Sequence, residues 1–346
     1  MSAWAIYRLP HEDHATLIRQ TEGEPLELMS LTELNGRQGF VIAPFAVTSE
    51  HPILVIQGSS EQLPLHASSL ADYSLTTHLL PLTSSYAIDF ASFHSQLEAD
   101  TFRKIVLARC ADEKLSDEIE PMDLFHRACA LYPRLFIALV YTEKSGCWLT
   151  ATPEILLEGK GHDWRTIALA GTMKLEGDQL NGEGENLTWS TKNIQEQRFV
   201  ATYITECLEQ FTGDFREDGP RTVRAANLVH LRSDFTFRLD DNGHIGDLLQ
   251  ALHPTPAVCG LPKREAFQFI IRNEHTPRRY YSGFMGLLDP ADETHLYVSL
   301  RCMNIEGTTC HLYAGGGLLK DSVLEQEWAE TEAKMQTMRR VLDRRT

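Results

Sequence analysis

An α+β fold is predicted by three features of the sequence. Short apolar strand candidates and longer helical patterns come in clusters. They do not follow the regular strand–helix–strand order that builds a doubly wound parallel sheet. With 42% hydrophobic and 23% charged residues over 346 positions, the chain also has the composition of a globular protein with a large core.

Residues 1–89 read as a β-rich part of that same fold. Leu26–Leu34, the dipeptide Asn35-Gly36 and Gly39–Phe45 predict a hairpin, because Asn-Gly suits the tight turn between antiparallel strands. His51–Gln57 is a further strand, and Leu63–Ser85, rich in Ser, Thr, His and Leu, is irregular. From 90 to 346 the signals sharpen. Helical patterns cover Phe90–Arg103, Met122–Leu131, Glu185–Phe211 and Val323–Leu342. In the third of these Ile194, Val200, Tyr203, Ile204, Cys207, Leu208 and Phe211 recur at helical spacing. Strands are predicted at Ile105–Ala108, Arg134–Tyr141, Cys147–Ala151, Ile155–Glu158 and Thr166–Ala170. Others follow at Leu228–Leu231, Thr236–Leu239, Tyr281–Leu288, His295–Cys302 and Thr309–Ala314.

Charge and cysteine usage narrow the function classes. A formal net charge of −16 repels nucleic acid and anionic membranes, so an anionic ligand would need local cations or a metal ion. Seven cysteines scattered from Cys110 to Cys310, without a CxxC pair, predict reduced thiols and a cytoplasmic location. No apolar run approaches the roughly 20 residues that span a bilayer, and the start lacks the features of a signal peptide. The HEDH segment at His11–His14 is not the HExxH pattern of zinc hydrolases.

Three segments carry the candidate chemistry. On the last helix, Trp328, Met335, Met338 and Leu342 form a core stripe, while Glu327, Glu330 and Lys334 form a second, polar one. Alone, the polar stripe would be a solvated face. It follows Ala314-Gly315-Gly316-Gly317-Leu318, however, where three glycines after a strand let a ligand approach backbone N–H groups. Carboxylates beside such a glycine loop suit an anion held through Mg²⁺. Lys192 and Glu196 stand at i, i+4 on the earlier helix, where a surface ion pair is the plain alternative. The stretch His253–Lys263 packs three prolines and a glycine into eleven residues and predicts a rigid loop led by a positioned histidine.

These segments, taken in order, resemble the chorismate-utilising enzymes, the family of isochorismate, salicylate, anthranilate and aminodeoxychorismate synthases. The resemblance runs from about Phe90 to Arg340. It rests on FRKIVLAR (Phe102–Arg109), ATPEILLE (Ala151–Glu158), IALAGT (Ile167–Thr172) and KNIQEQRFV (Lys192–Val200). It continues through LVHLRSDF (Leu228–Phe235), HPTPAVCGLPK (His253–Lys263), RRYYSGFMG (Arg278–Gly286) and VSLRC (Val298–Cys302), then YAGGGL (Tyr313–Leu318) and EWAETEAK (Glu327–Lys334). Ten such segments in the same order are very specific. The fold implied is one of large, mostly antiparallel sheets flanked by helices.

The resemblance also implies an activity. Members that add water to C2 of the ring carry a lysine at the position of Lys104, which ammonia-using anthranilate synthases lack. Ala170 stands where aminodeoxychorismate synthases place a nucleophilic lysine. The HPTPAVCG wording is closest to the isochorismate synthases, and a salicylate synthase, which goes on to eliminate pyruvate, is the alternative. The implied reaction is Mg²⁺-dependent conversion of chorismate to isochorismate. It serves menaquinone synthesis or a siderophore pathway, with the short chain pointing to menaquinone.

By resemblance, Lys104 is the general base for the attacking water, which requires a lowered pKa, with Arg109 as a candidate neighbour. Glu154 is the general acid for the departing C4 hydroxyl and must be held protonated among Pro153, Ile155 and Leu156. Glu196, Glu327 and Glu330 match the Mg²⁺ ligands, with Glu327 binding directly or through water. Gly171, Thr172 and His253 position the ring carboxylate. Arg301, Tyr281 and the N–H groups of Gly315, Gly316 and Gly317 hold the enolpyruvyl carboxylate, and Lys334 lies near the metal-bound carboxylate. Gln197 departs from the His or Asn that often follows the metal-binding glutamate. A monomer without a glutaminase, nucleic-acid or membrane partner is expected.

Overall fold

The computed structural model describes residues 3–65, 81–116, 120–174, 187–225 and 228–343. In chain order it begins with β1 (Ala3–Arg8), β2 (His14–Gln20), β3 (Leu26–Leu28), β4 (Gly39–Ala43), β5 (Ile53–Ile56) and β6 (Ser59–Pro64). Then come α1 (Ser84–Glu98), β7 (Lys104–Lys114), α2 (Pro121–Leu131), β8 (Phe136–Thr142), β9 (Gly146–Thr152), β10 (Ile155–Lys160) and β11 (Asp163–Lys174). The middle holds α3 (Thr191–Leu208), β12 (Phe215–Ala225), β13 (Leu228–Arg238), α4 (Ile245–Leu252), β14 (Gly260–Leu261) and α5 (Lys263–Asn273). The chain ends with β15 (Phe284–Leu288), β16 (Thr294–Val298), β17 (Cys302–Glu306), β18 (Thr309–Leu318) and α6 (Leu324–Leu342).

The strands form two nine-stranded sheets, and each described strand pairing is antiparallel. One runs β14-β7-β18-β17-β9-β8-β1-β2-β6, the other β12-β13-β11-β10-β16-β15-β4-β5-β3. The α+β class with large antiparallel sheets is therefore what the chain adopts. The first 65 residues complete the far ends of both sheets. Alternation along the strands divides the apolar residues. Tyr7, Phe136 and Tyr297 meet between the sheets, and Phe136 stacks on Tyr297 at 4.3 Å between ring centroids. Ile6, Leu139 and Leu149 face α2 and α6, while Leu156, Ala168 and Phe235 face α3 and α4. The result is four layers, helix–sheet–sheet–helix.

Several elements differ from the sequence reading. Leu26–Phe45 is not a hairpin. Ser30 and Glu33 form a reciprocal cap on a short 3-10 helix, Leu31–Leu34, and β3 pairs with β5. Asn35 Oδ1 then accepts from Gly246 N at 2.7 Å, so Asn-Gly serves a tertiary contact instead of a strand turn. The start of the third predicted helix at Glu185 lies outside the described residues, as do residues 66–80 of the irregular stretch; α3 begins at Thr191 on a Ser190 cap. β12, α4 and α5 escaped the reading, and the strands read at Leu228–Leu231 and Thr236–Leu239 are one, β13.

Two further corrections decide the site. His295–Cys302 is not one strand. β16 lies in one sheet and β17 in the other, and Arg301, with φ of 47°, sits in the switch between them. The glycines 315–317 are not a loop but the end of β18, paired with Ala108, Leu107 and Val106 of β7. A second switch, β9 to β10, carries Glu154. The two switches are bonded to each other: Val298 N donates to Glu154 O at 2.9 Å and Ala151 N to Arg301 O at 3.1 Å.

Candidate active site

Where the chain changes sheets, the sheets part and leave a cleft. It is lined by Val106, Glu154, Gly171, Thr172, Glu196, His230, Ala257, Val258, Tyr281, Arg301, Gly315, Gly317 and Lys334. Lys104 is fully buried behind this surface, with Nζ 2.9 Å from Glu196 Oε1. The approach is an ion pair, and among the described residues Nζ has no other partner. Period-two alternation sends Arg109 to the opposite face of β7, so it is no neighbour of the Lys104 ammonium. Arg109 instead donates to Thr331 and Glu332 and lies 3.7 Å over the Trp328 ring, which fastens α6 to the sheet.

The glycines of β18 are there for space. A Cβ on Gly317 would collide with Glu196 and stand 2.8 Å from Lys104 Cε; one on Gly315 would stand 2.8 Å from the Tyr281 hydroxyl. On the other face, Gly316 leaves room for Glu327 and Glu330. The N–H groups of Val106 and Ala108 turn toward Cys259 O and Glu274, away from β18. By antiparallel alternation, Gly315 and Gly317 therefore direct their own N–H groups away from β7, past the end of β17. Gly316 faces Leu107 within the ladder, so its N–H is committed there.

Glu154 and the carboxylates of the helices are in opposite states. Burial raises Glu154 to about 8, against the pull of Lys104 and Arg301, so it is protonated at neutral pH. Burial also opposes ionisation of Glu196, but Lys104, Lys334 and Lys192 outweigh it and hold Glu196 below its usual range. Burial and then the nearby Glu330 charge raise Glu327, against its ion pair with Lys192. Glu330 pairs with Lys334 at 2.8 Å, and Lys334 also donates to Gly315 O at 2.8 Å. The polar stripe of α6 is thus not a solvated face; it packs on the free edge of β18.

The structure brings together Lys104, Glu154, Gly171, Thr172, Glu196, Tyr281, Arg301, Gly315, Gly317 and Lys334, with Glu327 and Glu330 on the adjoining side of β18. His253 is the exception. Its Nε2–H donates to Pro44 O at 3.3 Å and its ring meets Phe284, so Ala257 and Val258 alone represent that loop in the cleft. Gln197 is buried and donates to Ser233 Oγ at 2.8 Å, a packing role that explains the departure noted in the sequence. The reading missed His230, whose only sequence signal was its place in LVHLRSDF. It lines the cleft between Gly171 and Arg301. In a larger groove of about 600 Å³ along Glu158, Arg165 and Arg238, Arg165 is paired to Glu158 and Arg238 to Asp163.

The residues suit a hard divalent cation. Glu196, Glu327 and Glu330 would offer oxygen ligands beside the cleft, although their oxygens do not all lie within 4.8 Å of one another, and among the described residues the buried Glu327 Oε2 has no hydrogen-bond partner. Burying so much carboxylate charge costs free energy that lysines offset here and a bound cation would offset better.

Sequence comparison gives the family. The profile of the family described as "Chorismate binding enzyme" matches residues 56–343. This chain belongs to that family. It is 34% identical over 253 residues to the salicylate biosynthesis isochorismate synthase of Pseudomonas aeruginosa, a match covering 72% of this chain and 52% of that protein. It is 32% identical over 241 residues to the isochorismate synthase MenF of Escherichia coli, covering 69% and 56%. The matches thus span only about half of those relatives' own lengths. Among solved structures, DhbC from Bacillus anthracis superposes with a TM-score of 0.85 at 22% identity, over 98% of this chain and 96% of that one, which shows the shared fold. Among the described residues of this family member, no helix is long and apolar enough to cross a membrane.

Proposed function

We propose that this family member is an isochorismate synthase, which adds water at C2 of chorismate and expels the C4 hydroxyl. The observation that carries the reading is a buried pair, Glu154 on the wall of the cleft and Lys104 just behind that surface, with Glu154 held protonated up to about pH 8. Glu154 gives its proton to the leaving C4 oxygen, which departs as water. Lys104, once its ammonium has given up a proton, takes a proton as the neutral amine from the water that attacks C2. Such an acid and base held apart are what an addition–elimination needs. Arg301 and the N–H groups of Gly315 and Gly317 hold the enolpyruvyl carboxylate, with Tyr281 packed beside them. Gly171 and Thr172 orient the ring. Gly171 has φ of 71° at a bulge in β11, and its N–H donates to Glu196 at 3.2 Å.

Glu196, Glu327 and Glu330 would hold Mg²⁺, which when bound neutralises the ring carboxylate and draws electron density from C2. Without it, that carboxylate faces three others. Water as nucleophile removes the need for a glutaminase partner. The test is product analysis at low conversion in ¹⁸O-labelled water with chorismate and Mg²⁺. Isochorismate with one label at C2 is the expected product. Unlabelled early product would overturn the roles of Lys104 and Glu154, and salicylate as the main freshly quenched product would move the assignment to a salicylate synthase.

A further inference from the structure

The cations around the cleft are not equivalent. Lys104 faces Glu196, Lys334 faces Glu330, and Lys192, just behind, faces Glu327. Each of these positive charges is offset by a carboxylate. Arg301 is fully enclosed, yet among the described residues it enters no ion pair. Its Nη2 donates to the Nε2 of His230 at 2.8 Å, and its buried Nη1 has no hydrogen-bond partner among the described residues. The nearest acid at the sheet switches, Glu154, is itself protonated at neutral pH. The uncompensated positive charge of the cleft therefore resides on Arg301.

His230 is suited to this arrangement by its own bonds. Its Nδ1–H donates to Gly171 O at 3.0 Å, which leaves Nε2 as a lone-pair acceptor for Arg301. Burial, then Arg301 and Lys334, press its pKa well below the ordinary histidine value, so the ring stays neutral. A carboxylate in its place would grip the guanidinium more strongly and cancel the charge a ligand needs. An apolar residue would leave a second guanidinium N–H unpaired in a buried setting. A neutral acceptor fixed by a backbone carbonyl avoids both penalties. The same ring also ties Arg301 to the β11 bulge at Gly171, across which the other end of the ligand would lie.

We propose that His230 is a positioning residue that holds Arg301 in register as a neutral acceptor, reserving the arginine's full charge for a ligand carboxylate. The proposal rests on the reading of the cleft as the chorismate site. Its signature is a dependence on the charge of residue 230 that simple packing would not produce. The test compares His230→Gln, His230→Leu and His230→Glu, with folding checked by circular dichroism and thermal melting. KM and kcat are measured with chorismate and Mg²⁺, and chorismate binding is measured by calorimetry in a Glu154→Gln background.

His230→Gln, which keeps a neutral acceptor, should stay within about threefold of the parent in KM. His230→Leu and His230→Glu should each weaken binding by about 10–100-fold, the range for hydrogen bonds to charged groups. Their kcat should stay within several-fold. Equal losses in all three variants, or a His230→Glu protein that binds like the parent, would overturn the proposal. Should His230→Glu fail to fold, Gln against Leu decides alone. Should the parent bind chorismate without forming isochorismate, the proposed activity fails while the calorimetric series still judges His230.

Discussion

Glu154 and Glu196 are both buried carboxylates facing one cleft, yet the molecule drives them in opposite directions. Glu154 sits at the β9–β10 switch, where its backbone is bonded to Thr152 Oγ1 and Val298 and where Lys104 and Arg301 act at a distance. Burial dominates there, and the carboxyl is raised to about 8. Glu196 rises from α3 into the field of Lys104, Lys334 and Lys192, with Gly171 N–H donating to it. Cations dominate there, and the carboxylate stays charged. Both carboxyls are buried, so burial alone does not separate them; it prevails at Glu154, which enters no ion pair among the described residues, and is outweighed at Glu196 by the lysines around it. In the proposed function, one wall gives a proton and the other holds a cation.

The sharpest way to break this division is to remove the proton-handling groups. Lys104→Ala and Glu154→Gln should each lower kcat by about 10²–10⁴-fold and leave chorismate affinity within several-fold. Steady-state kinetics and calorimetry check this, and a Lys104→Ala enzyme with half its activity would show that another residue is the base. On the other wall the pattern should invert. Glu196→Ala and Glu330→Ala should weaken Mg²⁺-supported chorismate binding, and EDTA should abolish turnover until Mg²⁺ is restored. Full activity in metal-free buffer would refute the cation-holding wall.

A pH profile sharpens the comparison further. As general acid, Glu154 works only when protonated, so kcat/KM should fall as pH rises through about 8. A flat profile from pH 7 to 9.5 would contradict that role. The smallest effect concerns stability. A folded-state pKa raised above 4.5 favours the fold below that value and loses its contribution as pH rises toward about 8. Glu154→Gln abolishes the penalty, so its Tm should exceed the parent's by about 5–7 °C at pH 9 and match it near pH 4. Equal Tm values at both pH values would mean that Glu154 is ionised in the fold.

The sequence alone determined the family, the α+β class and most of the charged residues of the site. Those depend on residue types at short spacings, such as the i, i+3, i+7 stripe of Glu327, Glu330 and Lys334, which a helix must place on one face. Strand patterns located β8, β9 and β10 closely, since burial on alternate sides writes itself into the chain. Tertiary structure decided which neighbours those residues would have. Only the pairing of distant strands could show that Gly315–Gly317 belong to a ladder with β7, and that His295–Cys302 breaks at Arg301 to change sheets. Only packing could turn His253 toward Pro44 and bring His230, 71 residues away in sequence, against Arg301. Residue identity is local, but the protonation state of Glu154 and the free charge of Arg301 arise from groups that the chain brings together only after both sheets have formed.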